Sequence, residues 1–266
     1  MPSMVEFTPK TRYDIRDLLE IVRLLRAPGG CPWDRAQTHE SIRANFLEET
    51  YEAVDAIDLK DADLLREELG DVLMQVVLHC QMETEQDRFT FDDVCNELCQ
   101  KLVYRHPHVF GEAQAAGGEQ ALANWNERKN TEKGRNSARD DLESVPAALP
   151  ALMRAAKLQK RAAGRGVPAP DAAAALDRLQ AGLDNMRRAL AAGETAGVGG
   201  LLFDTVALAR ALGQEPEEAL TRAGTAFTRR VEACEDAALA AGTTLAGAAP
   251  EALAACWGQE STQASE

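Results

Sequence analysis

Apolar residues recur along the chain at helical rather than strand spacing. Ile15, Leu18, Leu19, Val22 and Leu25 mark one face of a helix expected over residues 12–25, and Ala27-Pro28-Gly29-Gly30 ends it. A loop through Cys31-Pro32-Trp33-Asp34 follows. Ile42, Phe46, Val54 and Ile57 then stripe a helix over 41–58. A short polar connection at 59–63 offers Asp61 as an N-cap. Leu65, Leu69, Val72, Leu73, Val76, Val77 and Cys80 line a long helix over 64–85, and another spans about 91–104, stopping before His106-Pro107. No segment alternates with period two. The expected fold class is all-α.

The apolar pattern lapses at 131–141, TEKGRNSARDD, which is polar and contains glycine. This places an N-terminal domain at 10–130, a polar linker at 131–145 and a C-terminal domain at 146–257. Two helical blocks follow a break at Pro168-Ala169-Pro170, and the closing GQESTQASE, 258–266, reads as a disordered tail.

Composition agrees with helices, since aromatics are only 5% while Ala, Leu, Glu and Arg abound. Net charge narrows the partners. At −14, with no Lys/Arg block, the surface repels polymeric nucleic acid and anionic membranes. A small anion can still bind where a metal bridges it to carboxylates. The six cysteines form no C-x-x-C pair and read as reduced thiols, mostly on apolar helix faces. The N-terminus has no apolar signal core and no stretch is long enough to span a bilayer, so a cytoplasmic protein is expected.

The candidate chemistry lies in Glu48-Glu49-Thr50-Tyr51-Glu52 and Glu68-Leu69-Gly70-Asp71. Glu49 and Glu52 are spaced i,i+3, as are Glu68 and Asp71, so each pair shares a helix face. The midpoints of the two pairs are equally far from Lys60. In an antiparallel hairpin both pairs therefore stand on the order of 14 Å from the bend, at 1.5 Å per residue. Four converging carboxylates repel one another and raise their own pKa values unless a cation intervenes. All-oxygen ligation suits Mg²⁺ or Mn²⁺, with substrate phosphates completing the shell. A solvated acidic face is the plainer reading for any single glutamate, but it does not account for the symmetric double pair. A di-iron bundle needs Glu-x-x-His on two helices, and none of His39, His79, His106 or His108 has Glu three residues before it. P-loop and G-x-S-x-G signatures are absent. Lys101 and Arg105, one turn apart, are candidates for phosphate contacts or for the helix dipole. Trp33 and Trp125 are candidates for stacking on a base, or simply for packing.

GGCPWD (29–34), LEETYE (47–52), REELGDVLMQVV (66–77), KLVYRHPHVFG (101–111), Trp125 with Lys129, and LPALMRAAKLQKRA (149–162) together resemble the MazG family. The match is dense in the N-terminal half and continues beyond the linker. The resemblance implies an all-α fold of helical bundles that dimerise through helices, and Mg²⁺-dependent cleavage of nucleoside triphosphates to monophosphate and pyrophosphate in nucleotide-pool house-cleaning. It also implies that Glu49, Glu52, Glu68 and Asp71 ligate the metal, and that Glu48 or Glu49 orients or deprotonates water. Asn45, Trp33, Lys101, Arg105, Trp125 and Lys129 would meet the nucleotide. Two rivals remain open: a narrow dUTP or dCTP pyrophosphatase, and a nucleotide-binding regulator without turnover.

The family carries two such repeats, and the second is legible here. ELGDVLMQVV (68–77) corresponds to GVGGLLFDTV (197–206), and KLVYR (101–105) to AFTRR (226–230). The apolar frame persists while the ligands do not. Gly197 and Gly200 stand opposite Glu68 and Asp71, Gly182 and Asn185 opposite Glu49 and Glu52, and Ala226 opposite Lys101. One metal site per chain is expected, in the N-terminal repeat.

Overall fold

The computed structural model describes residues 6–112 and 117–258. Among these it contains thirteen α-helices, one short 3-10 turn and no strand, as the all-α reading requires. The chain forms two compact units, Met1–Lys129 and Asn130–Glu266.

In the first unit, α1 (Ile15–Arg26) starts where the Asp14 carboxylate accepts from the amides of Arg16 and Asp17 while Asp17 accepts from the Asp14 amide. That reciprocal cap places the start three residues later than the apolar stripe suggested. The expected loop at 31–34 contains α2 (Pro32–Ala36), a single turn opened by a proline whose missing N–H costs nothing there. Gly30 is obligatory in the preceding bend. A Cβ on it would lie 2.3 Å from the carbonyl oxygens of both Leu24 and Leu25.

Helices α3 (Arg43–Leu59) and α4 (Ala62–Thr84) form an antiparallel hairpin. Lys60 makes the bend in the left-handed region, φ 56° and ψ 32°. The amides of Lys60 and Asp61 donate back to Ile57 and Ala56, and the Asp61 carboxylate then accepts from Asp63 and Leu64. The expected N-cap is thus in place, a contribution of about 1 kcal/mol. Ala53 and Ala56 are buried on α3, and side chains this small let α4 lie close. The core of the unit gathers Val22 of α1, Ile42 before α3, and Val77, Leu78 and Met82 of α4, with Leu18, Leu19 and Phe91 against it. Helix α5 (Phe91–Arg105) is capped by Thr90 and ends at His106, ahead of the one-turn α6 (Pro107–Phe110). Helix α7 runs Gly118–Glu132.

In the second unit, residues read as a linker contain α8 (Ala138–Glu143). Its Ser137 cap bonds the Asp140 amide, and Asp141 is buried. The polar residues that suggested a solvated linker are spent on these local bonds. Arg161 of α9 (Ala151–Ala163) and Arg165, just past the end of that helix, hold the Asp141 carboxylate at 3.3 and 2.5 Å. Helices α10 (Ala172–Ala191) and α11 (Gly199–Ala211) pack on each other, α9 packs on α11, and α12 (Pro216–Ala240) carries α13 (Pro250–Gly258). Apart from Gly258, the expected tail lies outside the described residues.

One expectation is overturned. Cys234 and Cys256 are joined by a disulfide, while Cys31, Cys80, Cys95 and Cys99 are free thiols. Packing of α13 on α12 brings their Cα atoms to 5.8 Å, within disulfide reach. A separation of 22 residues gives no spacing signal for this pairing. Of the free thiols only Cys80 is buried, and Cys99 is exposed.

Candidate active site

The hairpin decides where the acidic residues go. Glu49 and Glu52 lie on α3, Glu68 and Asp71 on α4, and the arms run antiparallel from Lys60. Carboxylate oxygens of Glu49, Glu68 and Asp71 lie within 4.8 Å of one another. Glu52 is exposed beside them, its charge acting on both Glu49 and Glu68. Glu48 adds its field to Glu49 from the neighbouring position.

The electrostatics are those of an uncompensated anionic cluster. Partial burial, then the charges of Asp71 and Glu52, push the Glu49 carboxyl above the ordinary carboxylate value of 4.5. Partial burial, then Glu52 and Asp71, do the same to Glu68. Water alone does not relieve this crowding. A hard divalent cation does, and a set made only of carboxylate oxygens, with room for water or phosphate, matches what such a cation accepts.

The other expected residues are distributed as follows. Asn45 lies half-buried on α3, one turn before Glu49, and Trp33 on α2 is 59% exposed. Lys101 on α5 pairs with Glu97 at 3.3 Å. Arg105 and Lys129 gather on Trp125, at 5.2 and 4.6 Å from its ring centroid. Trp125 also lines a cavity of about 320 Å³ with His106, His108, Ala121 and Leu122. The structure therefore groups a carboxylate quartet on α3 and α4, and a cation–aromatic cluster on α5 and α7. Arg128, not singled out in the sequence, extends the second cluster by covering the Tyr104 ring at 5.1 Å and donating to the Tyr104 carbonyl.

The counterpart positions in the second unit carry no such chemistry. A Cβ on Gly182 would meet Leu201 Cδ2 at 2.6 Å, so apolar packing occupies the place opposite Glu49. Nothing projects at Gly200, which opens α11 beside Gly199.

Sequence reasoning passed over one polar cluster. His39 Nδ1 lies 2.7 Å from His79 Nδ1, and His39 Nε2 lies 2.6 Å from Glu83 Oε1. Its only local trace is a His four residues before a Glu, on one face of α4.

Comparison with known proteins identifies the family. The family model for the MazG nucleotide pyrophosphohydrolase domain matches residues 37–110, which include both acidic pairs. The chain is 41% identical over 253 residues to a nucleoside triphosphate pyrophosphohydrolase of Escherichia coli (strain K12), covering 92% of this chain and 96% of that one. It is 38% identical over 221 residues to the nucleoside triphosphate pyrophosphohydrolase/pyrophosphatase MazG of Thermotoga maritima, covering 83% and 85%. A nucleoside triphosphate pyrophosphohydrolase of Mycobacterium tuberculosis is 42% identical over 155 residues, 58% of this chain and 46% of that one.

Proposed function

The chain belongs to the MazG family, and on that footing we propose that it hydrolyses nucleoside triphosphates to monophosphate and pyrophosphate, using Mg²⁺ in its N-terminal unit alone. The observation that carries this reading is the convergence of Glu49, Glu68 and Asp71, with Glu52 beside them, against glycine and leucine at the matching place in the second unit. Glu49, Glu52, Glu68 and Asp71 are the ligands. These carboxylates would hold Mg²⁺, or Mn²⁺ in its place, which would supply positive charge to neutralise the phosphates and lower the pKa of water at the site. Glu48 or Glu49 takes the proton of the attacking water. Lys101 and Arg105 balance charge on the departing pyrophosphate. Asn45, Trp33, Trp125 and Lys129 position the nucleoside, with the cavity beside Trp125 as the place for the base.

A homodimer is the assembly this reading favours. Leu47, Tyr51, Val54 and Ile57 of α3 and Leu69 of α4 are each about half exposed. A run of apolar side chains on one hairpin is more than a monomer ordinarily leaves to water. None of the helices among the described residues is long and apolar enough to cross a membrane. Nucleotide-pool cleaning places the enzyme in the cytoplasm.

Product analysis tests the central reading. ATP and the common dNTPs incubated with Mg²⁺ should yield pyrophosphate, not orthophosphate, and Glu52→Ala should abolish it. Turnover confined to dUTP or dCTP would instead establish the narrow enzyme. Nucleotide binding without product would establish the regulator.

Metal dependence carries its own pH signature. Glu49 and Glu68 have raised carboxyl pKa values, so their contribution to apo stability is present below 4.5 and lost as pH rises through the raised values. Near neutrality the apo cluster is therefore anionic and strained, and Mg²⁺ should raise the melting temperature. That gain should shrink as pH falls from about 8 to about 5, where protons compete for the same oxygens. Thermal shift with and without Mg²⁺ measures it, and a gain independent of pH would place the ion elsewhere.

A further inference from the structure

Away from the carboxylates, the loop leading into α3 is tied to α4 by a bridge between two histidines. His39 Nε2 approaches Glu83 Oε1 at 2.6 Å, and the other Glu83 oxygen takes Arg88 Nε at 2.8 Å. His39 Nδ1 meets His79 Nδ1 at 2.7 Å, the two rings 7° from parallel. Phe46 of α3 packs its edge on His79 at 5.6 Å. Glu83 is buried, an unusual place for a carboxylate without such partners.

The hydrogen-bond inventory fixes how many protons this arrangement tolerates. With Glu83 ionised, His39 Nε2 carries a hydrogen and donates. If His39 is neutral, its Nδ1 is an acceptor and the hydrogen between the rings belongs to His79. One added proton leaves the geometry intact, because His39 then donates from both nitrogens and His79 Nδ1 accepts. A second added proton puts a hydrogen on each facing Nδ1, and two donors at 2.7 Å repel. We propose that the His39–His79 bridge is a proton-counting latch, closed with no or one added proton and opened by the second, which releases the loop leading into α3.

The surrounding charges support this count. The loop supplies Glu40, which interacts with the His39 charge. Helix α4 supplies Glu83, and the segment after it Arg88. From α1 comes Arg26, committed to Glu85 and to the carbonyls of Asp34 and Gln37. The side of α3 against the ring is Phe46, which offers no charge. Burial, and then His39, hold His79 below the ordinary imidazole value of 6.5. A depressed value means that the His79 contribution is complete above 6.5 and lost as pH falls through the lower folded value. Acid therefore opens the latch.

Amide exchange over residues 37–46 measures the opening directly, with rates corrected for intrinsic pH dependence. In the wild type, protection should be constant above neutrality and fall about tenfold per pH unit once the second proton binds. His79→Asn keeps a hydrogen-bonding group at the Nδ1 position but cannot ionise, so its protection should stay flat through the same range. Imidazole ¹⁵N shifts of the wild type provide a check that needs no variant. They should show coupled titration of the two rings, with a hydrogen held on His39 Nε2 throughout. Flat wild-type protection down to the onset of global acid unfolding, an unchanged fall in His79→Asn, or two rings titrating independently near the free value would each overturn the latch. Because exchange is read without substrate or metal, the outcome is independent of the proposed catalysis.

Discussion

Glutamine at Glu49 or at Glu68 should lower kcat/KM for pyrophosphate release by about 10³-fold, equivalent to about 4 kcal/mol of transition-state stabilisation. The melting temperature of the apo protein should stay level or rise. The two expectations have one cause. Each side chain is a proposed ligand within 4.8 Å of two other carboxylates, and crowding has already raised its pKa. An amide keeps the shape, removes one negative charge from the crowd, and loses the anionic oxygen a hard cation needs. Steady-state kinetics beside a melt separate this from damage to the fold. Activity within tenfold of wild type would remove both residues from the ligand set.

Asp141→Ala should destabilise the C-terminal unit by about 3 kcal/mol, the low end for losing one partner of a buried ion pair. The carboxylate is 5% exposed and held by Arg161 and Arg165, so its loss strands two guanidinium groups that remain partly hydrated. A loss of this size corresponds to about 10 °C in the transition of a unit this long. At 25 °C pyrophosphate release should nevertheless be near normal if turnover belongs to the N-terminal unit. Asp141→Asn, which can still accept one bond, should lose less. A melt unchanged by the alanine would show that solvation repays the pair.

The residues that were legible in the sequence are those whose signal is periodic or paired. Helices α1, α3 and α4 announced themselves by apolar stripes, α5 by the His106-Pro107 stop that follows it, and Asp61 by its place before a stripe. Helix boundaries depended on particular bonds, such as the Asp14 cap that starts α1 at Ile15. One-turn helices are too short to show a period, although α2 and α6 each open on a proline that marks them. The acidic quartet was visible because i,i+3 spacing and a short bend are local properties. The His39–His79 bridge spans 40 residues and the Cys234–Cys256 bond 22, and both depend on which helix lies beside which. No local pattern encodes that.

The bend at Lys60 also bears on how this stretch tolerates change in length. Its two arms present carboxylates to one another because the stretch from Lys60 back to Glu49 and Glu52 matches the stretch forward to Glu68 and Asp71. One residue inserted between Lys60 and Glu68 would carry Glu68 and Asp71 about 100° around α4 and about 1.5 Å along it. Substitutions on the outer faces leave that register alone, whereas a single-codon insertion or deletion destroys it. Length polymorphism in this protein should therefore be excluded from residues 49–71, however freely the surface of those helices drifts.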